Sequence, residues 1–148
     1  MALRILCLDF GDKRIGVAVS DELWLTAQGE KTILRKNNRQ VIDEIRQLVH
    51  RYDVMLILIG YPLRLDGSKG RQCEKVDHFS DLLGVSLQLP LIKWNEALST
   101  KGAEDILREG NVHWKKRRQL VDKVAATLIL QDYLDHCPEK NRGGHLLS

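Results

Sequence analysis

The run Val-Met-Leu-Ile-Leu-Ile at positions 54–59 narrows what this chain can fold into. Six consecutive apolar residues, bounded by Gly60 and Pro62, leave no polar face for water, so a strand here has to be covered on both sides. Residues 3–10 are almost as continuously apolar, and a second strand pattern at 15–20 follows after the turn Gly11-Asp12-Lys13. These two segments read as a hairpin, and 32–34 gives a short third strand. Asn37 or Asn38 can then cap a helix with the apolar stripe Val41, Ile42, Ile45, Leu48, Val49 and Tyr52. After the 54–59 strand come a glycine-rich loop at 61–70, a helix bearing Val76, Phe79, Leu82 and Leu83, and a strand at 89–94. Helical segments at 99–108 and 115–134 close the pattern. An antiparallel meander followed by helix-linked strands predicts an α/β domain with a mixed five-stranded sheet. Its first three strands are antiparallel, the others parallel, and helices cover both faces.

A chain of 148 residues suits one domain, here expected over 1–137, with a charged and glycine-rich tail at 138–148. With 43% apolar and 29% charged residues it should fold unaided. The net charge of +3 attracts a polyanion only weakly, so clusters of charge have to decide the partner. Cys7, Cys73 and Cys137 are odd in number and far apart, without a CxxC pair. That pattern excludes a zinc ribbon and a thiol-exchange motif, and reduced thiols in a cytoplasmic protein are expected. Arg4 and Asp9 interrupt the first apolar run, so neither a signal peptide nor a membrane partner is expected.

Open α/β sheets bind ligands beyond the carboxyl ends of their parallel strands. Asp9 stands near one such end and Asn95-Glu96 at another, while Asp122 lies in VDKVAATLILQ on the last helix. On a helix with the buried stripe Val121, Val124, Ala125 and Leu128, Asp122 falls on the stripe's edge, and small Ala125 and Ala126 let the helix lie close to the sheet. Three carboxylates meeting there would suit Mg2+ or Mn2+. Each acid has a plainer role as well: Asp9 as a turn residue, Glu96 as a first-turn helix acid, Asp122 as a solvated helix acid. Asp132 is a rival to Asp122.

Cations flank these positions. Lys13 and Arg14 follow Asp9, and Lys115, Lys116, Arg117 and Arg118 precede Asp122, next to Trp114. Basic residues beside an aromatic suit single-stranded nucleic acid, although charge runs are also common on solvated faces. Arg64 and Lys69, in a loop longer than a minimal connection, could touch a substrate too. His113 is read as a surface histidine.

Four ordered stretches, LDFGDKRIGVAVSD, GYPLRLDGSKG, WNEALST and VDKVAATLILQDYL, resemble the YqgF family, also called RuvX or Holliday-junction-resolvase-like proteins, of the ribonuclease H-like superfamily. The resemblance covers nearly the whole chain before the tail. It implies a ribonuclease H-like domain and a metal-dependent nuclease in which Asp9, Glu96 and Asp122 hold two Mg2+ or Mn2+ ions. It also implies a nucleic-acid substrate: the 5′ end of the small-subunit ribosomal RNA precursor or, alternatively, a branched DNA junction. The family's Asp-Glu-Arg becomes Asn95-Glu96-Ala97 here, and a threonine becomes Ser99. Neighbouring strand residues face opposite ways, so one of Asn95 and Glu96 takes the acid's place, and Glu96 is the expected one. A weakened site, in an RNA-binding ribosome-assembly factor, is the other reading of this departure. The opening hairpin also resembles the phosphate-binding hairpin of actin-like sugar kinases, but those close two domains over ATP and only one fits here. Paired cuts in a junction would call for a homodimer, for which no interface can be read from the residues.

Overall fold

The structure, a computed structural model, describes residues 3–64, 66–95 and 114–136, with backbone alone for 114–121. Its strands are β1 (Arg4–Phe10), β2 (Arg14–Ser20), β3 (Ala27–Leu34), β4 (Val54–Tyr61) and β5 (Leu91–Asn95). The helices are α1 (Asn38–Tyr52), α2 (Arg71–Leu87) and α3 (Trp114–His136). The strands form a single five-stranded sheet in the order β3-β2-β1-β4-β5. β1 pairs antiparallel with β2, and β2 with β3, while β1–β4 and β4–β5 are parallel. This is the expected mixed sheet. The helix expected at 99–108 and the tail lie outside the described residues.

The buried runs divide by parity between the two faces, as a pleated strand requires. Leu6, Leu8 and Phe10 of β1 join Ile57, Ile59 and Tyr61 of β4 in a core with Ile45 of α1 and Phe79 of α2. Ile5, Cys7, Leu56 and Leu58 point the other way, against α3. α1 starts at Asn37, whose side chain accepts the Gln40 N–H at 2.8 Å in a capping box. It ends at Asp53, a left-handed cap with φ of 50°.

Two expectations need correction. The third strand spans eight residues, not three, because β3 is an edge strand whose Gly29, Glu30 and Lys31 lack an apolar signature. The buried side of α3 carries Ala125, Ala126, Ile129, Leu130, Tyr133 and Leu134, while Val124 and Leu128 are only half-buried. Apolar residues occur all around this helix, so periodicity does not select a face. Packing selects the side with the two alanines, which lets the helix axis come closest to the sheet. On that rotated face Asp122 is in line with Ala125, Ala126 and Ile129, instead of at the edge of a stripe.

The approach is closest at Gly16 of β2. A Cβ there would lie 1.9 Å from the Asp122 carbonyl oxygen and 3.1 Å from its Cα. Backbone of α3 therefore rests on backbone of β2, and only glycine fits beneath it. Gly16→Ala is expected to lower stability by about 3 kcal/mol, because α3 has to be displaced. Gly84→Ala should instead raise it by about 0.5–1 kcal/mol, since a Cβ there meets nothing within 4 Å and glycine is a poor helix former. Urea unfolding of the two variants tests this, and equal midpoints would contradict the close approach.

Candidate functional site

Because β1, β4 and β5 run parallel, their carboxyl ends at Phe10, Tyr61 and Asn95 share one edge of the sheet. Asp9 has the parity of Ile5 and Cys7 and so belongs to the α3 face, where it is half-buried. Across the ladder Asp9 is paired with Gly16, on which the backbone of Asp122 rests. Two acids 113 positions apart are thus brought to the same end of the same face. Asp122 Oδ2 accepts a 2.7 Å hydrogen bond from Nε of Arg14, with the two side chains 21% and 26% exposed. Arg14 shares a face with Gly16, two residues on, so the guanidinium stands beside the point where α3 touches β2.

Glu96 lies outside the described residues. Among the described residues no three of His, Cys, Asp and Glu are grouped to hold a metal ion. The strand leading to Glu96 is informative, however. Trp94 is on the α3 face, its Nε1 donating to Asp132 Oδ2 at 2.8 Å and its ring edge-on to Tyr133 at 5.0 Å. Asn95 is paired with Tyr61 and has the opposite parity, toward α2. Asn95 therefore does not share a face with Asp9 and Asp122. Asp132, ten positions along α3 from Asp122, is exposed and engaged by Trp94 and His136.

The turn after Asp9 is rigidly made. Gly11 N–H donates to the Arg14 carbonyl at 2.9 Å, and a Cβ on Gly11 would lie 2.7 Å from that same oxygen. Arg35 Nη1 donates to the carbonyls of Gly11 and Asp12, both at 2.8 Å, and its guanidinium sits 4.3 Å from the centre of the Phe10 ring. Lys13 projects from this turn and is exposed. Of the predicted phosphate contacts, then, Lys13 and Arg14 stand at the strand-end acids. Lys115, Lys116, Arg117 and Arg118 lie on the first turns of α3, N-terminal to Asp122, where backbone alone is described.

Arg64 and Lys69 belong to the loop beyond β4. The loop is closed by Arg64 N–H to the Ser68 carbonyl at 3.0 Å and Gly67 N–H to the Arg64 carbonyl at 2.8 Å. Lys69 Nζ is 5.7 Å from the centre of the Tyr61 ring and Lys93 Nζ is 5.5 Å from it. Tyr61 donates its hydroxyl to Asp77 at 3.0 Å. Burial, and then this bond, push the Tyr61 phenol up to about 12. A hydrogen bond from Lys93 holds the Asp77 carboxyl below its usual range. This group ties β4, β5 and α2 together under the loop, and nothing in the local sequence announces it. The contact at Gly16 had a signal: an isolated glycine inside the strand RIGVAVS marks close backbone approach. The Arg14–Asp122 pair had none.

A family model described as RuvX, Holliday junction resolvase, matches residues 3–136. A protein named "Putative pre-16S rRNA nuclease" from Syntrophus aciditrophicus is 56% identical over 133 residues, covering 90% of this chain and 89% of its own length. One of the same name from Halothermothrix orenii is 47% identical over 134 residues, covering 90% and 96%. Among solved structures, Thermus thermophilus RuvC in complex with a Holliday junction substrate aligns with a TM-score of 0.56 at 12% identity, over 91% of this chain and 96% of that one. Fowlpox virus resolvase with Holliday junction DNA aligns at 0.55 and 14% identity, over 89% and 97%. At such identity these structures speak for the fold, which is the ribonuclease H-like one of the resolvases. With its model matched over almost the entire described region, and with close relatives along the same length, the chain belongs to the RuvX family.

Proposed function

We propose that this chain is a metal-dependent nuclease that hydrolyses phosphodiester bonds, trimming the 5′ end of the small-subunit ribosomal RNA precursor. One observation carries the reading: Gly16 lets α3 settle on β2 so that Asp9 and Asp122 come to one face at the carboxyl end of the sheet. Glu96 completes the acid set in this proposal. Trp94 has the parity of the α3 face and Asn95 that of the other, so alternation favours Glu96 over Asn95. The altered NEALST motif then keeps its acid. The names of the 56% and 47% identical relatives support RNA as the substrate, and the family description supports branched DNA as the second reading.

Carboxylate oxygens without sulfur or imidazole are the donors that Mg2+ and Mn2+ prefer, so the residues present fit the expected ions. Two such ions, held by Asp9, Glu96 and Asp122, would activate water and neutralise the leaving oxygen of an in-line displacement at phosphorus. The chain's own groups prepare that site. The β1 ladder and α3 hold Asp9 and Asp122 on regular elements, so neither carboxylate has to be ordered when substrate arrives. Arg14 balances the charge of Asp122 and fixes its orientation. Lys13 offers a mobile cation for a phosphate beside the scissile one, and the run Lys115 to Arg118 a track for the strand's backbone.

Cleavage of a ribosomal RNA precursor fragment and of a four-way DNA junction, each with Mg2+, tests the assignment. Asp9→Asn, Glu96→Gln and Asp122→Asn should each reduce the rate by about 100-fold or more, and chelation should abolish it. Equal rates in all four proteins would exclude the three-acid site, and cleavage of the junction alone would transfer the proposal to DNA. Replacing Lys115 to Arg118 with alanine should weaken binding and flatten its salt dependence, with an unchanged slope removing that run from the interface. A double-mutant cycle on Arg14→Ala and Asp122→Ala in urea should give a coupling of about 1 kcal/mol that shrinks with added salt. Zero coupling would mean that Arg14 does not hold the carboxylate.

A further inference from the structure

The strand end that carries Asp9 has a second feature on the opposite face of the sheet. Phe10, the next residue, points toward α2, and its ring centre lies 4.5 Å from that of Phe79. Beside these rings opens a cleft of about 510 Å3, bounded by the 11–13 turn, the start of α1 at Asn38 and the outer side of α2. Arg71, Glu74, Lys75 and His78 line it from two turns of α2, and all four are exposed. Arg35, which also lines the cleft, lies 4.3 Å from the centre of the Phe10 ring. Lys75 is engaged by Asp12 at 2.9 Å. The side chains of Arg71 and His78 make no hydrogen bond or ion pair with another described residue. The strand-end acids leave this cleft unused.

We propose that the cleft is a nucleotide subsite, taking one unpaired nucleotide of the cleaved strand next to the scissile phosphate. The inference rests on the nuclease reading and extends it by naming where the flanking strand goes. Phe10 and Phe79, 7% and 2% exposed, give the cleft an apolar floor, and Arg35, Arg71 and Lys75 outnumber Asp12 and Glu74 around it, so a base meets an apolar surface and its phosphate a cation. The volume falls within the range of small-ligand clefts. The position also fits. Asp9 and Phe10 are consecutive, so the acids and the cleft are on the two faces of one strand end, joined by the 11–13 turn. A strand running over that turn passes Lys13 and then meets Arg71 and Lys75. A base-paired substrate cannot turn a base into the cleft without unpairing it, so the subsite selects single-stranded flanks.

The test uses the full chain without divalent metal, so that binding is read apart from cleavage. A fluorescein-labelled ten-residue oligouridylate is titrated by anisotropy against wild type, Arg71→Glu, His78→Ala and Asp9→Asn. The same oligomer with one 4-thiouridine is photocrosslinked and the attached peptide mapped. Arg71→Glu is expected to weaken binding at least about fivefold, with the thermal midpoint unchanged, and His78→Ala to weaken it less. The crosslink should fall within 71–79. Wild-type affinity in Arg71→Glu, or crosslinks confined to α3, would overturn the subsite. If Asp9→Asn binds normally here and has lost cleavage in the Mg2+ assay above while Arg71→Glu binds as wild type, the nuclease reading stands and the subsite fails. If Asp9→Asn still cleaves while Arg71→Glu binds weakly, the three-acid reading fails and the subsite stands. No binding by the wild-type chain overturns the subsite and leaves the nuclease reading to the Mg2+ cleavage assay.

Discussion

Where α3 crosses β2, a helix backbone touches a strand backbone with no side chain between them. Gly16 makes this contact, and Ala125 and Ala126, fully buried, continue it along the helix. Ile129, Leu130 and Leu134 then fill the face further from the acids. Each large side chain buried there contributes about 1.5–3 kcal/mol, which offsets the ordering of a long helix. The taper from small to large residues aims one end of α3 at the sheet and so carries Asp122 down to the level of Asp9. Were Gly16 to gain a side chain, the core beyond Ile129 could still form, but the acid end of the helix would lift away.

Parity in the central strands divides labour between the faces. Along β1, Ile5 and Cys7 build the floor under α3 and lead to Asp9, while Leu6 and Leu8 build the floor under α1 and α2 and lead to Phe10. The same rule separates Trp94 from Asn95 on β5. A slip of one residue in register would exchange every one of these roles, so the buried runs on both faces guard the site as well as the core. The cations follow this division: Arg14 serves the acid face, while Arg35 holds the turn from the other side through the carbonyls of Gly11 and Asp12.

Membership of the RuvX family and the ribonuclease H-like fold fix the frame within which chemistry is argued, but fold does not choose a substrate. That choice belongs to the groups around the strand ends. The turn presenting Lys13 follows Asp9, a loop carrying Arg64 and Lys69 follows β4, and the basic residues 115–118 precede Asp122 on α3. In the proposed function such cations meet the phosphates of a strand of any sequence, and the cleft at Phe10 and Phe79 is where unpaired and paired flanks would be told apart.

Local chemistry was enough to determine much of this protein. The apolar run at 54–59, the Asn37 cap with its stripe, and the hairpin around Gly11 are encoded by neighbouring residues, and all form as read. Asp9 and Asp122 were legible as candidates from strand ends and helix spacing, and with Glu96 from ordered motifs. What tertiary structure decided involves residues far apart or signals too even to read. β3 is longer than its apolar content suggests because its partner, not its composition, makes it a strand. α3 turns its alanine side to the sheet because packing distance, not periodicity, selects among its apolar faces. Arg14 meets Asp122 across 108 positions, and Phe10 meets Phe79 across three strands and a helix. Hydrophobic order along the chain specifies which elements form. Only their docking brings two distant acids to one place, because it depends on how closely two backbones can approach.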